Sequence, residues 1–135
     1  RRKVGLAGVV ALKPDILLLD EPTAGLDPEA HEEFIVRLTA MRNDGITMVI
    51  ATHTMDDVAA LCDRVVALAD GRIVRDGAVR EVFAQANEIE ALGLELPTAT
   101  AIVHELRRHG LPVRTDVLNL DEAEAAIAAA LGART

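Results

Sequence analysis

Four aliphatic residues, Ile16 to Leu19, lead into Asp20-Glu21-Pro22-Thr23-Ala24-Gly25-Leu26-Asp27-Pro28. A short continuous apolar run of this kind reads as a strand buried on both faces. Its carboxyl end, the edge at which open α/β sheets bind ligands, then carries two adjacent carboxylates. Consecutive strand residues point to opposite faces, so Asp20 and Glu21 divide the work between them. One can reach a hard cation such as Mg²⁺, which favours oxygen ligands and keeps several waters. The other can face a water molecule and orient or deprotonate it. A second apolar run, Thr47 to Ala51, ends in Thr52-His53 and brings an imidazole towards the same crevice. Histidine can hydrogen-bond a phosphate oxygen and sense whether it is there. A metal carboxylate, a water-orienting carboxylate and a phosphate-sensing imidazole together suit phosphoryl transfer, in which catalysis is mostly positioning and charge stabilisation.

Regular elements must hold these groups in place. Asp27 has the character of a helix N-cap, with Pro28 at the first helical position and Glu29 in the first turn. The spacing of Phe34, Ile35, Leu38 and Met41 predicts one apolar helix face, and Gly45 supplies the stop. Met55 to Leu61 reads as a short helix and Arg64 to Leu68 as a third strand. Asp70-Gly71 then turns the chain into Arg72-Ile73-Val74, a hairpin signal. The alternation of strand and helix predicts right-handed parallel crossovers and one α/β sheet with an antiparallel edge. After Gly77 the pattern becomes helical. Val79, Val82, Phe83 and Ala86 mark one amphipathic helix, and Ala99, Ile102, Val103 and Leu106 a second, stopped by Gly110 and Pro112. Leu120, Ala123, Ile127 and Ala130 mark a third, with Asn119 and Glu122 spaced as a capping box. Gly93 and Pro97 join this appendage to what precedes it.

The 135 residues are half apolar and 27% charged, which excludes disorder of the low-hydrophobicity, high-charge kind. Phe34 and Phe83 are the only aromatics, so the core is built from Leu, Val, Ile and Ala. Fourteen basic against twenty-two acidic residues give a net charge of −8, which argues against a phosphate-backbone binder. The single cysteine, Cys62, excludes an internal disulfide framework, fits a reducing compartment and reads as a small packed hydrophobe. Arg107-Arg108-His109 reads as a solvated helix end that complements the helix dipole. No run reaches the roughly 18 apolar residues that span a bilayer. Arg1-Arg2-Lys3 followed by Val4 to Leu12 has the outline of a signal peptide without a small-residue cleavage site. It reads instead as a helix over residues 1–12 that ends near Pro14. Starting in mid-element and without Met, the chain reads as a piece of something longer.

The run ILLLDEPTAGLDP resembles the Walker B strand and D-loop of the ATP-binding-cassette (ABC) ATPases, and Ala51-Thr52-His53 resembles their switch-histidine loop. Arg1-Arg2-Lys3-Val4 is similar to the residues after the family's signature loop, and Gly71 to Gly77 to the hairpin that closes the cassette. The resemblance covers roughly residues 1–83 and implies the C-terminal part of a P-loop NTPase, a RecA-like ABC ATPase core. It implies that Asp20 holds Mg²⁺ through water and that Glu21 is the general base. Asp27, whose capping role is a complete structural account by itself, would communicate across a nucleotide-sandwich dimer. His53 would contact the γ-phosphate. ATP and Mg²⁺ are the implied cofactors. Leu94 to Thr98 and His104 to Pro112 are similar to the C-terminal extension of energy-coupling-factor, or cobalt-type, importer ATPases. That likeness implies a helical extension over residues 84–135 that serves dimerisation. It also implies a second ATPase subunit, identical or different, a transmembrane coupling subunit, a place on the cytoplasmic face of the membrane, and uptake of a metal ion or vitamin. No Gly-x-x-x-x-Gly-Lys-Ser/Thr occurs in the 135 residues, so the phosphate-cradling loop is not among them. Two other functions compete: an ABC ATPase of DNA repair or translation, and an inactive fragment acting only by association. The acidic charge and helical appendage speak against the first.

Overall fold

The computed structural model describes residues 14–132, so the helix expected over residues 1–12 and the Arg1–Val4 likeness lie outside the described residues. The chain divides into two compact units, one ending at His53 and one beginning at Thr54.

In the first unit β1 (Ile16–Asp20) and β2 (Thr47–Ala51) pair in parallel, with Leu18 opposite Val49 and Asp20 opposite Ala51. Between them runs α1 (Pro28–Asn43). Asp27 caps it as its residue type predicts: the carboxylate accepts the Ala30 N–H at 2.9 Å, and Pro28 opens the helix. Asp44 ends α1, and Gly45, at φ +92°, donates to the Arg42 carbonyl and turns the chain into β2. Phe34 and Leu38 are buried and Ile35 and Met41 half-buried, which is the predicted face.

The expectation that these strands are buried on both faces is not met. Leu17 is covered, but Ile16, Leu18 and Val49 are 61%, 74% and 55% exposed. Alternate residues share a face, so one face of the β1–β2 pair is covered and the other is open. A parallel pair needs cover on both sides, and the one crossover helix between the strands can lie on only one.

In the second unit α2 (Met55–Leu61) leads to an antiparallel hairpin of β3 (Arg64–Ala69) and β4 (Arg72–Ala78). Asp70 and Gly71 sit at φ +50° and +73°, the left-handed pair required by a two-residue turn whose twist matches the strands. The expected single sheet is therefore corrected: among the described residues β3 pairs with β4, and the parallel pair and the hairpin are separate two-stranded sheets. A two-residue turn closes its own ladder locally, whereas joining β3 to the parallel pair needs a long-range pairing that these residues do not make.

The helix expected over Val79 to Ala86 is in fact two, α3 (Val79–Ala84) and α4 (Ala86–Ala91), broken at Gln85, whose carbonyl starts the second by accepting from Glu88 N–H. The helices α5 (Thr98–Arg108) and α6 (Leu120–Gly132) follow. They bury one face and leave Ile102, Leu120 and Leu131 at 41%, 64% and 54% exposed. Ala99, Val103, Val113, Val117, Ala123, Ala126 and Ala130 form one buried cluster, with Leu106, Leu111 and Ile127 packed against it. The intervening segment contributes Val113 and Val117, and the buried Thr100 hydroxyl donates to the Val117 carbonyl at 2.6 Å. Ile102 of α5 and Leu120 of α6 are the misplaced residues of the predicted faces, and Ala126 takes the place of Leu120 in the core. Cys62 packs half-buried against a second cluster around Val58, Val79 and Phe83, as expected of a small hydrophobe. Arg108 is more than a solvated helix end: it reaches Asn87 and Glu90 of α4 as well as Glu105. No described helix is long and apolar enough to cross a membrane.

Asn119 and Glu122 cap α6. The Glu122 N–H donates to Asn119 Oδ1 at 2.9 Å, and the Glu122 carboxylate accepts from the Leu118 N–H at 3.0 Å. Arg80 of α3 donates to both carboxylate oxygens, at 2.9 and 3.0 Å. The guanidinium first, then the backbone donor, hold this carboxyl at about 2 against an ordinary value of 4.5. A depressed carboxyl contributes stability above its unfolded value and loses it as pH falls towards the folded one. Wild type and Arg80→Ala should thus differ by a constant amount in urea stability above about pH 5, converging as the pH approaches about 2. A pH-independent difference would assign Arg80 to packing alone.

Candidate functional site

The ladder between β1 and β2 runs one bond past β1, because Glu21 N–H donates to the Ala51 carbonyl at 2.8 Å. Glu21 itself lies beyond the strand at φ +44°, in the left-handed region. A residue that is neither glycine nor free of a following proline is held there against its local preference, the kind of strain that clusters at functional sites. Strand alternation therefore does not separate Asp20 from Glu21; the turn does. It carries the Glu21 side chain to the end of β2, where Oε1 lies 2.8 Å from His53 Nδ1 and the Thr52 hydroxyl approaches Oε2 at 3.5 Å.

The Glu21–His53 pair joins residues 32 apart in the chain. Its side chains are 36% and 82% exposed, so the imidazole stays open to solvent while one nitrogen holds the carboxylate. That hydrogen bond, more than any other influence, keeps the Glu21 carboxyl below its ordinary value of 4.5, with the Thr52 hydroxyl adding a little. Glu21 is thus ionised throughout the neutral range. An ionised carboxylate aligned by an imidazole can orient a water and accept hydrogen bonds or a proton from it.

Asp20 is exposed at the last position of β1. No cluster of three or more His, Cys, Asp or Glu able to hold a metal exists among the described residues. This donor set does not make an all-protein cage, but a single hard carboxylate suits Mg²⁺, which takes one or two carboxylates together with waters and substrate phosphates. Asp27 is engaged at the start of α1. Of the four residues singled out from the sequence, the fold thus brings Glu21 and His53 into contact, sets Asp20 beside them in the chain, and uses Asp27 as a cap. Thr52 is the member that sequence reasoning passed over; its signal was its place directly before His53 in the same loop.

No protein-family model matches the chain. It is 44% identical over 133 residues, 98% of its length, to the energy-coupling factor transporter ATP-binding protein EcfA2 of Symbiobacterium thermophilum, covering 46% of that protein. The EcfA2 protein of Clostridium perfringens is 38% identical over 128 residues, 94% of this chain and 45% of the relative. Among solved structures it is similar to cbiO1 of Clostridium perfringens, described as part of the ABC transporter complex cbiONQ. That likeness has a TM-score of 0.57 and 41% identity, over 77% of this chain and 41% of the other. The chain spans about half the length of the curated relatives it matches, and over nearly all of its own length it is similar to energy-coupling factor transporter ATP-binding proteins.

Proposed function

We propose that the complete protein is an ATP-hydrolysing subunit of an energy-coupling-factor importer, coupling hydrolysis to uptake of a metal ion or vitamin. The observation that carries this reading is the Glu21–His53 hydrogen bond, made where two parallel strands end and directly beside Asp20. Glu21, ionised and aligned by His53, orients the attacking water and accepts its proton. His53, held through Nδ1 and otherwise exposed, is available to the γ-phosphate. Asp20 supplies the carboxylate for Mg²⁺, which when bound with the nucleotide neutralises phosphate charge. Asp27, besides capping α1, stands at the position of the family's D-loop and would communicate across a dimer of ATPase subunits.

On this reading residues 1–83 are the C-terminal half of the ATPase domain and residues 84–135 an extension for association, a division by role that differs from the compact units. The phosphate cradle would lie in the half of the relatives that this chain does not span. The open faces of β1 and β2 support that assignment, since Ile16, Leu18 and Val49 have the composition of a sheet interior. The partners are then ATP, a second ATPase subunit and a transmembrane coupling subunit, with the protein on the cytoplasmic face of the membrane. Nucleic acid is not a partner, in keeping with the net charge of −8.

The test is Mg²⁺-dependent phosphate release by the complete protein, with binding followed separately. Asp20→Asn should weaken Mg²⁺-dependent ATP binding by about 10–100-fold while leaving metal-free nucleotide binding little changed. A complete protein that binds and hydrolyses no ATP ends this reading.

A further inference from the structure

The start of α5 is held from outside its own segment. Its N-cap is Pro97, which offers no side-chain acceptor. Asp56, 42 residues earlier on the first turn of α2, supplies one instead. Its Oδ1 accepts the Thr98 N–H at 2.7 Å, and its Oδ2 accepts the Thr98 hydroxyl at 2.6 Å. A carboxylate taking two donors at a helix N-terminus has both charge-assisted hydrogen bonds and the helix dipole in its favour. The same two segments share an apolar cluster: Val58 and Met55 of α2, with Cys62 directly after it, pack with Val79 and Phe83, and Leu96 and Leu118 of the extension pack against it. The extension is thus fastened to α2 twice, once by packing and once by the Asp56–Thr98 clasp. Along the chain, α2 begins two residues after His53.

We propose that Asp56 is a positioning residue, tying the segment that leads out of His53 to the C-terminal extension so that the placement of the extension is felt at His53. The proposal rests on the reading of His53 given above. Rearranging α5, as binding of a partner to the extension would, moves the first turn of α2 or breaks the clasp. Either outcome changes the support of the loop that carries the imidazole. Asp56 does not touch the substrate and acts only through α2.

The clasp can be opened from both ends. Asp56→Ala removes the acceptor. Thr98→Pro removes both donors and keeps the helix, because proline is tolerated at the first helical position and Pro97 already has the extended backbone (φ −54°, ψ 142°) that a following proline requires. In the complete ATPase each variant should lower kcat by about five-fold, the factor that a cap of ordinary strength represents, with the KM for ATP unchanged. The double variant should fall no further than either single one, and Asp56→Asn, which keeps an acceptor, should recover part of the loss. In the 135-residue chain, the ring-proton NMR shifts of His53 should move in the same direction in both single variants. If Thr98 N–H loses its exchange protection while kcat and the His53 shifts stay at wild-type values, the clasp is only a cap and the proposal is wrong. Additive losses in the double variant overturn it as well. A wild-type complete protein without ATP turnover would defeat the functional reading instead, and the His53 shifts would still decide this one.

Discussion

On the function proposed above, exchanging Glu21 for Gln in the complete protein is expected to leave ATP binding nearly intact and to lower turnover by about 10²–10⁴-fold. The substitution isolates basicity from geometry. Glutamine has the same volume, and its amide oxygen can still accept from His53 Nδ1 at the 2.8 Å position that Oε1 occupies. The backbone turn at φ +44° and the N–H bond to the Ala51 carbonyl do not involve the side chain. What disappears is the negative charge that His53 keeps in place by holding the carboxyl below its ordinary value. The sign of that shift also fixes the acid limb: activity that depends on ionised Glu21 persists above pH 4.5 and declines as the pH drops below it. Single-turnover phosphate release together with equilibrium nucleotide binding separates the two effects. Turnover equal to wild type would remove Glu21 from the chemistry and reduce its contact with His53 to a structural tie.

The 135-residue chain by itself should show no steady Mg²⁺-dependent ATP hydrolysis. In-line attack requires the γ-phosphate to be held, and no Gly-x-x-x-x-Gly-Lys-Ser/Thr cradle occurs in this sequence. Asp20 alone offers Mg²⁺ too few ligands without the phosphate oxygens that complete its shell. The same chain should associate in solution through its strands rather than its helices. Ile16, Leu18 and Val49 leave an apolar face of the parallel pair open, whereas α5 and α6 bury Ala99, Val103, Ala123, Ala126 and Ala130 in a shared cluster and expose Ile102, Leu120 and Leu131. Phosphate release from purified chain, with Glu21→Gln as control, checks the first expectation, and sedimentation of Leu18→Lys beside wild type checks the second. Turnover that vanishes in the control would mean that the cradle is dispensable; unchanged association of Leu18→Lys would move the sticky surface elsewhere.

Much of the fold was legible residue by residue wherever the deciding hydrogen bond is local. Asp27 and Ala30 are three residues apart, Asn119 and Glu122 likewise, and the turn at Asp70-Gly71 closes on its immediate neighbours. Such contacts form from the chain's own stiffness and side-chain chemistry, so residue type and spacing determine them. The chemistry at the candidate site was legible as a set of groups, Asp20, Glu21 and His53 at two strand ends. Their arrangement was not. Glu21 meets His53 across 32 residues, and Asp56 meets Thr98 and Arg80 meets Glu122 across 42. Contacts over such distances exist only after the elements have packed, because closing the loop costs entropy that one hydrogen bond does not repay. The same holds for burial. Apolar spacing marks Leu18 and Leu120 as core, yet whether a side chain is covered depends on which other elements arrive on its face, and here none of the described elements covers either. The sequence by itself therefore determined the local turns, the caps and the inventory of reactive groups. Tertiary structure alone decided which of those groups touch and which apolar faces stay open, since both depend on long-range packing that no short window of residues contains.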